Sequence, residues 1–332
     1  MAQGFYAQKF SRAFEGKTAL VSALCLVILF TASLFSEWIT NNKPVFCVVG
    51  DRILFPAYFD YNLEDLGEEG AGVVDFKEYK DKMKFAYWPP LVWGPLENDV
   101  ELEKFPSEPS KSHIFGVDVA GRDVFARLLY GTRISFFFAL AVWLITFVVG
   151  TLVGLLQGFA GGNVDMLGQR LVEIFASTPQ FYLLLLLITI LSPNLPILIL
   201  LSSFFGWVSI SQYMRGEALR NRNLTFVEAA RAMGAKPLRL LTVHILPNSL
   251  VPLITFSPFA IVGAIFGLSA LDFLGFGVPA PTPSWGELLD QARSNFQEAW
   301  WLAAFPSLFV FLTVVWFNFV GEAIRDAFDP RK

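Results

Sequence analysis

Long uncharged stretches alternate with charged ones along this sequence. The uncharged runs cover residues 18–36, 134–164, 174–214, 245–271 and 299–321. A helix of about 20 apolar residues crosses a bilayer, so most of these runs predict one transmembrane helix each. The run 174–214 has room for two helices, and Pro193 and Pro196 interrupt it near its middle. The pattern therefore predicts an all-α, polytopic membrane protein with six transmembrane helices.

The basic residues indicate how these helices cross the membrane. If the N terminus is inside, the inside pieces 1–17, 158–170, 215–244 and 322–332 hold 3, 1, 6 and 3 Lys and Arg. The short outside pieces, 192–196 and 272–298, hold only Arg293. Because short cytoplasmic loops are enriched in Lys and Arg, we expect the N terminus to lie in the cytoplasm. The first run could instead be a signal peptide, but its length and the sequence around Ser36 favour an uncleaved helix.

These runs divide the chain into four parts. We expect a cytoplasmic N terminus with the first helix (1–36), a large periplasmic insert (37–133), a five-helix core with an inside loop at 215–244 (134–322), and a cytoplasmic tail (323–332). The insert carries 17 acidic and 11 basic residues and shows no sustained helical or strand period. It is either a loop-rich cap on the helices or a docking surface for a soluble partner.

Composition excludes several classes of protein. Hydrophobic residues make up 54% of the chain and charged residues only 16%, which is too little charge to cover a soluble enzyme. A net charge of −4 argues against a nucleic-acid binder. The two cysteines, Cys25 and Cys47, are expected to be free thiols. The two histidines stand alone, so no metal site is predicted.

No catalytic residue is predicted. The sequence has no phosphate-binding loop for ATP, no nucleophile elbow and no metalloprotease helix motif, so we expect no enzyme activity in this chain. Glu173 and Asp272 stand only at the ends of uncharged runs. We interpret both as capping residues at the membrane interface, where water is near. An ion-driven carrier usually keeps ionisable groups within its helices.

The inside loop carries a compact helix signal. Thr225 followed by Glu228 forms a capping box, which predicts a helix from Thr225. Gly234 is placed for a left-handed C-terminal cap, and Pro237 for the first position of the next helix. Ala230 lies on the same helical face as Gly234, which leaves a shallow surface. On physical grounds alone, this pattern fits an ordinary capped helix in a loop as well as it fits a docking helix.

The same loop resembles a known family. Glu228-Ala229-Ala230, then Gly234 after three residues, then Ile245-Leu246-Pro247, resembles the signature loop of ABC importer permeases. His244 to Asn248 has the form found in the dipeptide and oligopeptide C-type branch, so we give His244 no pH-sensing role.

Other stretches resemble the same branch. Phe115-Gly116-Val117-Asp118 with Gly121-Arg122-Asp123 resembles the entry to the second helix, although Val117 replaces the usual Thr. Residues 271–286 resemble the outer loop before the last helix, and 325–330 the C-terminal tail. The long insert is similar to that of Yej-type permeases, which are associated with uptake of peptides and of the peptide–nucleotide antibiotic microcin C.

The resemblance implies a type I importer permease that works in a complex. The expected partners are a second homologous permease, two ATPase subunits or one fused ATPase, a periplasmic peptide-binding protein and the lipid bilayer, with no nucleic acid. No cofactor is expected in this chain, because ATP and Mg²⁺ belong to the ATPase subunits. A stand-alone secondary carrier and a non-transporting envelope scaffold are the alternatives.

The resemblance also suggests roles for individual residues. The short helix would dock in a cleft of the ATPase, with Thr225 and Glu228 stiffening it, Ala229, Ala230 and Gly234 fitting the cleft, and Arg231 pairing with acidic residues. The full set of coupling candidates is Thr225, Phe226, Val227, Glu228, Ala229, Ala230, Arg231, Met233, Gly234, Leu246 and Pro247. Candidates for the outer gate or loop are Asp272, Phe273, Phe276 and Trp285.

Few polar residues interrupt the predicted spans. The candidates for a substrate path are Gln157, Gln180, Ser209, Gln212, Thr255 and Asn318, each of which could equally form hydrogen bonds between helices. Gly150, Gly154 and Gly158 recur every four residues, which predicts close packing against a neighbouring helix. Pro179, Pro258 and Pro306 are expected to bend their helices.

Overall fold

The computed structural model describes residues 2–66, 68 and 72–328, and helices dominate it. The helices are α1 (Ala2–Ala13), α2 (Lys17–Leu34), α3 (Ser36–Ile39), α4 (Val124–Ala160), α5 (Gly162–Ser177), α6 (Gln180–Leu191), α7 (Leu195–Asn221), α8 (Thr225–Ala232), α9 (Pro237–Arg239), α10 (Leu246–Phe273), α11 (Trp285–Asn295) and α12 (Trp300–Phe328). A π-helical segment, Leu240–Ile245, joins α9 to α10. The strands are β1 (Phe46–Val49), β2 (Arg52–Leu54) and β3 (Phe85–Tyr87). The last part of the expected tail, 329–332, lies outside the described residues.

The long helices agree with the predicted spans. Five segments of the described chain are long and apolar enough to cross a membrane: α2, α4, α7, the continuous stretch Pro237–Phe273, and α12. The pair α5 and α6 passes the same test together and is bent by 75°. Counted as one crossing, this pair gives six spans. Pro179 lies in the break between the two helices, so the bend predicted there is confirmed, whereas bends at Pro258 and Pro306 stay predictions.

Several helices extend beyond the uncharged runs. The second span begins at Val124 rather than Ile134, because the Asp123 side chain caps it by accepting a hydrogen bond from the Ala126 amide at 2.7 Å. The expected loop at 158–170 is mostly helical, since the chain turns at Gly161 and α5 starts at once. Charged residues mark where the hydrocarbon ends, and a helix continues past that point wherever its backbone is capped.

Three glycines join α4 to α7. A Cβ atom on Gly150 would lie 2.7 Å from the carbonyl oxygen of Trp207, and one on Gly158 would lie 2.5 Å from that of Arg215. At Gly154 it would collide with the carbonyl oxygen of Ser211. The predicted close packing is therefore confirmed, and α7 is the neighbour.

The insert contains a small antiparallel sheet that the sequence pattern did not predict. Its strand order is β2-β1-β3, and Cys47 is paired with Leu54 on one side and with Ala86 on the other. Cys47 and Leu54 pack with Phe76 in a separate core. The strands are only three or four residues long, too short to establish a period of two. Both cysteines are free in the structure, as expected, and burial raises the pKa of the Cys47 thiol to about 11.

We expect Gly154→Ala to destabilise the protein by about 1–3 kcal/mol, because the added methyl group would force α4 and α7 apart. The matched control is Gly216→Ala in α7, where nothing lies within 4 Å of the added Cβ. Unfolding of both variants in detergent, followed by circular dichroism, measures the difference. Equal stability of the two variants would contradict the close contact between α4 and α7.

Candidate functional site

The short helix α8 begins where the sequence predicted, but a side chain does not cap it. Leu224 occupies the N-cap position and accepts hydrogen bonds from the amides of Val227 and Glu228 at 2.9 and 3.1 Å. Thr225 is therefore the first helical residue and stands one position too late to act as the cap. The predicted capping box of Thr225 and Glu228 is wrong, because the turn that ends α7 sets the helical frame one residue earlier.

The C-terminal end of α8 is capped as predicted. Gly234 has a φ of 84°, in the left-handed region. The Gly234 amide donates to the carbonyl oxygen of Arg231 and the Ala235 amide to that of Ala230, both at 3.0 Å. This pair of hydrogen bonds is a Schellman motif, which satisfies carbonyl groups at the end of the helix. Gly234 thus fixes where α8 stops and how the chain leaves it.

Beyond α8, Pro237 begins the next helix, as predicted. The helix widens into the π-helical segment Leu240–Ile245 and then continues as α10. Pro247 lacks an amide hydrogen and its ring crowds the preceding turn, which explains the wider turn there. The stretch from Pro237 to Phe273 therefore connects α8 directly to a membrane span.

One face of α8 is buried within the chain itself. Val227 and Ala230 pack in a cluster with Met214 and Ala218 of α7 and with Ile245. Leu155 of α4 and Leu253 of α10 belong to the same cluster. Ala230 was expected to fit a cleft on the ATPase, but its side chain is 5% exposed and is used for packing inside this chain. Sequence spacing placed Ala230 and Gly234 on one face without showing that the protein's own helices cover Ala230.

The opposite face of α8 is open. The exposed coupling candidates are Thr225, Phe226, Glu228, Ala229, Arg231, Met233 and Gly234. Met233 is 82% exposed and Phe226 is 42% exposed. Leu246 and Pro247 are half-buried, and Leu246 contacts the cluster beneath α8. A protein that docks here would touch the exposed candidates and would push on the buried ones.

Polar contacts hold the neighbouring helix ends together. Arg215 of α7 donates to Asp165 of α5, with 2.8 Å between Nη2 and Oδ2. The Arg222 guanidinium donates to the carbonyl oxygen of Gly158 at 3.0 Å. Asn221 donates to Ser249 of α10 at 2.9 Å. The end of α7, which leads into α8, is thus attached to α4, α5 and α10.

A cavity of about 410 Å³ lies between α4, α6, α7 and α10. Its lining is mainly apolar, and it contains two of the six predicted path residues, Gln180 and Ser209. Thr146 and Ser202, which the sequence analysis did not select, also line it. They were missed because single hydroxyl groups are common in spans and carry no signal until neighbouring helices are placed.

The other four path candidates lie away from this cavity. Gln157 is buried against Gly168 of α5, and Thr255 donates to the carbonyl oxygen of Pro252 at 2.7 Å. Gln212 is exposed and Asn318 is half-buried. The structure therefore assembles Gln180 with Ser209 and does not bring the whole predicted set together.

The four outer-loop candidates lie at the opposite end of the bundle from α8. Asp272 is buried rather than placed at a wet interface, and its Oδ1 accepts a hydrogen bond from the Val278 amide at 2.8 Å. Trp285 is fully buried and its indole donates to the carbonyl oxygen of Leu128 at 3.1 Å. Phe273 lies under Arg293, and Phe276 packs with α6 and α7. Their contacts hold this loop against α4 and α10.

A buried ion cluster lies at the same end and was not predicted. Arg127 is 0% exposed, and its Nη2 is 2.5 Å from Glu287 of α11. Arg122 donates to Asp118 at 2.8 Å and contacts Glu287 at 3.2 Å. Removing one partner of such a buried pair typically costs several kcal/mol. The sequence analysis named Asp118 and Arg122 only within the resemblance to the family. It did not select Glu287, because Glu287 is far from the others along the chain.

His113 lies beside this cluster, between two carboxylates. Its Nδ1 is 2.9 Å from Asp123 and its Nε2 is 3.1 Å from Asp99, while its ring contacts that of Trp93 with 4.4 Å between centroids. Burial opposes a charge on His113, but the hydrogen bonds and charges of Asp123 and Asp99 outweigh it and raise the pKa of the imidazole. Because Asp123 also caps α4, His113 ties the insert to the start of this span.

The family can now be stated. Residues 150–332 match the family model described as "Binding-protein-dependent transport system inner membrane component". This is more than half of the chain, and the chain belongs to that family. It is a multi-pass inner-membrane permease subunit of an ABC importer, which works with ATPase and binding-protein partners.

Individual relatives place it in the peptide branch, as the sequence resemblance implied. The inner membrane ABC transporter permease protein YejE of Escherichia coli K12 is 39% identical over 315 residues, covering 92% of this chain and 91% of that protein. The peptidoglycan transport system permease protein YejE of Agrobacterium fabrum is 36% identical over 342 residues, covering 92% and 88%. The dipeptide transport system permease protein DppC of Bacillus subtilis is 36% identical over 224 residues, covering 67% and 70%.

A solved structure supports the fold. A chain of the inward-facing MetNI methionine ABC transporter matches with a TM-score of 0.51 and 19% identity, covering 60% of this chain and 96% of that one. At this identity the likeness shows the fold alone.

We expect the outer end of the protein to lose stability as the pH rises. When folding raises the pKa of a histidine, that histidine contributes its full stabilising free energy below the unfolded pKa of about 6.5. This stabilisation is lost as the pH rises through the folded pKa. Each unit of pKa difference corresponds to about 1.4 kcal/mol. Apparent melting temperatures between acidic and mildly alkaline pH should therefore fall more for the native protein than for His113→Asn.

The control is His244→Asn, because His244 lies beside Phe226 of α8, away from the carboxylates of the insert. This variant should keep the pH dependence of the native protein. If His113→Asn showed the same fall in melting temperature as the native protein, the ion pairs of His113 would not be its cause.

Proposed function

We propose that this chain is the transmembrane permease subunit of an ATP-driven importer for peptides, and that α8 is its coupling helix. The observation that carries the proposal is the two-sided placement of α8. One face is buried in a cluster with residues of three spans, and the other leaves Phe226, Arg231 and Met233 exposed. The relatives support the substrate class, since their names specify dipeptides and peptidoglycan. Peptide conjugates of the microcin C type are a further expected cargo.

The distribution of basic residues supports the orientation. Six basic residues lie in or near α8 in the sequence: Arg215, Arg220, Arg222, Arg231, Lys236 and Arg239. This end of the bundle therefore faces the cytoplasm and the insert faces the periplasm. A second homologous permease completes the path, and two ATPase subunits, separate or fused, supply ATP and Mg²⁺. A periplasmic peptide-binding protein delivers the cargo.

The contacts beneath α8 provide a route for movement. A partner that moves α8 displaces Val227 and Ala230, which are in contact with α7 and with the helical stretch leading into α10. Both helices also line the cavity. Movement of a few ångströms at α8 is thereby passed to two walls of the path, which alternates between inward-open and outward-open states biased by ATP.

The cavity suits a cargo of variable side chains. Its mainly apolar lining offers few directional contacts, and Gln180 and Ser209 are placed to hydrogen-bond a peptide backbone. The outer-loop residues Asp272 and Trp285 keep the periplasmic end rigid while the walls move. Selection among peptides then falls to the separate binding protein.

Reconstitution tests the function. In liposomes, we expect uptake of labelled peptide only when this chain is assembled with its second permease, the ATPase, the binding protein and ATP. The same liposomes with this chain alone and an imposed proton or sodium gradient serve as the control. Ion-driven peptide transport by the single chain would contradict the importer and favour a secondary carrier.

We expect Gly234→Trp to insert normally in the membrane but to lose binding of the ATPase, because the bulky side chain would stand on the open face of α8. The matched control is Gly162→Trp, at a second exposed glycine that also has a positive φ and nothing within 4 Å of its Cβ position. Co-purification of the ATPase with each variant is the measurement. An unchanged ATPase yield with Gly234→Trp would remove α8 from the interface.

A further inference from the structure

The sheet of the insert has two apolar faces. Cys47, Leu54 and Ala86 point into the core of the insert. The register places Phe46 opposite Tyr87, and Val48 opposite both Phe85 and Ile53. Side chains directly opposite each other share a face of the sheet. All five strand positions on the second face are therefore apolar or aromatic.

Much of this second face is exposed in the part of the chain that the structure describes, and only Phe46 and Val48 on it are half-buried. Ile53 is 65% exposed and Phe85 is 56% exposed. An antiparallel sheet with one solvated face normally alternates apolar and polar residues, so that the face toward water is polar. The sheet departs from this rule at every position of that face, which indicates a surface that is covered in the membrane-bound protein.

The exposed face is continuous with the end of the membrane span α2. Trp38 lies in α3, just after the span α2, and its ring centroid is 5.7 Å from that of Tyr87, with the two rings tilted by 48°. Tyr87 stacks against Phe46 with 5.8 Å between ring centroids. Phe46 in turn contacts Phe85 at 5.8 Å. An unbroken row of rings therefore leads from the end of the span across the sheet.

The helix at the start of this row exposes apolar residues along its length. The exposed large apolar side chains of α2 and the residue after it are Leu20, Val21, Leu24, Val27, Ile28, Leu34 and Phe35. In a membrane-spanning helix such a surface faces lipid or a neighbouring span. Trp and Tyr concentrate where lipid meets water, because their rings are apolar and their N–H and O–H groups are polar. The indole of Trp38 donates to the Tyr58 hydroxyl at 2.8 Å, which keeps that polar group satisfied at this boundary.

We propose that the apolar sheet face, formed by Phe46, Val48, Ile53, Phe85 and Tyr87, rests on the bilayer in the interfacial region of the leaflet next to the outer end of α2. The insert then acts as a lateral membrane anchor rather than only as a cap over the path. The charges near these strands agree with this placement. Arg52 points toward the opposite face and donates to the carbonyl oxygen of Asp65, and Lys84 pairs with Asp51 at the edge of the sheet.

Site-specific photocrosslinking in the assembled transporter tests the anchor. Phe85 is replaced by p-benzoylphenylalanine, which keeps an aromatic ring at that position, and the complex is reconstituted in lipid nanodiscs and irradiated. Glu103, an exposed residue of the insert outside the sheet, carries the same replacement as the control. Ile53 carries it in a third variant, so that the test stands if the Phe85 variant fails to assemble.

We expect lipid adducts, identified by mass spectrometry, at position 85 or 53 and no lipid adducts at position 103. Saturating peptide-binding protein should leave these adducts unchanged. Adducts to the second permease or to the binding protein in place of lipid would overturn the proposal and assign the face to that protein. Absence of lipid adducts at both sheet positions would also overturn it, because the face would then stand in water.

Discussion

The transmission of movement from α8 to the membrane spans depends on the burial of one face of α8. Val227 and Ala230 are packed among residues of α4, α7 and α10, and ion pairs and hydrogen bonds fasten the ends of those helices to each other. A short isolated helix is marginal in water, so α8 owes its rigidity to this packing and to the cap at Gly234 rather than to its own sequence. A rigid α8 is what allows a push at the surface to reach the spans.

Different interactions hold the opposite end of the bundle together. Buried charges, Arg127 with Glu287 and His113 with Asp123, tie the start of α4 to α11 and to the insert. Such pairs are costly to break once they are out of water. The glycine contacts between α4 and α7 join the two ends by letting backbones touch. The protein thus combines a rigid outer end with a firmly packed inner lever, and its cavity lies between them.

Local signals in the sequence were sufficient for part of this picture. The uncharged runs predicted the spans, and Pro179 predicted the bend between α5 and α6. Gly234 predicted the end of α8, and Pro237 predicted the start of the next helix. The spacing of Gly150, Gly154 and Gly158 predicted a close contact without naming α7 as its partner. The capping box at Thr225 failed because a turn outside the motif set the frame of the helix. The three short strands failed because a period cannot be established over so few residues.

The sequence by itself determined that this chain crosses a membrane several times and carries a short, capped helix in its most basic loop, because hydropathy and backbone caps act between residues close along the chain. Only the tertiary structure decided which side of that helix is free, which polar residues share the cavity, and that Glu287 meets Arg127. Those outcomes depend on residues that are distant in sequence, and the packing of whole helices brings them together. The doubly apolar sheet shows the same division, since each strand is ordinary alone and only their pairing creates an exposed apolar surface.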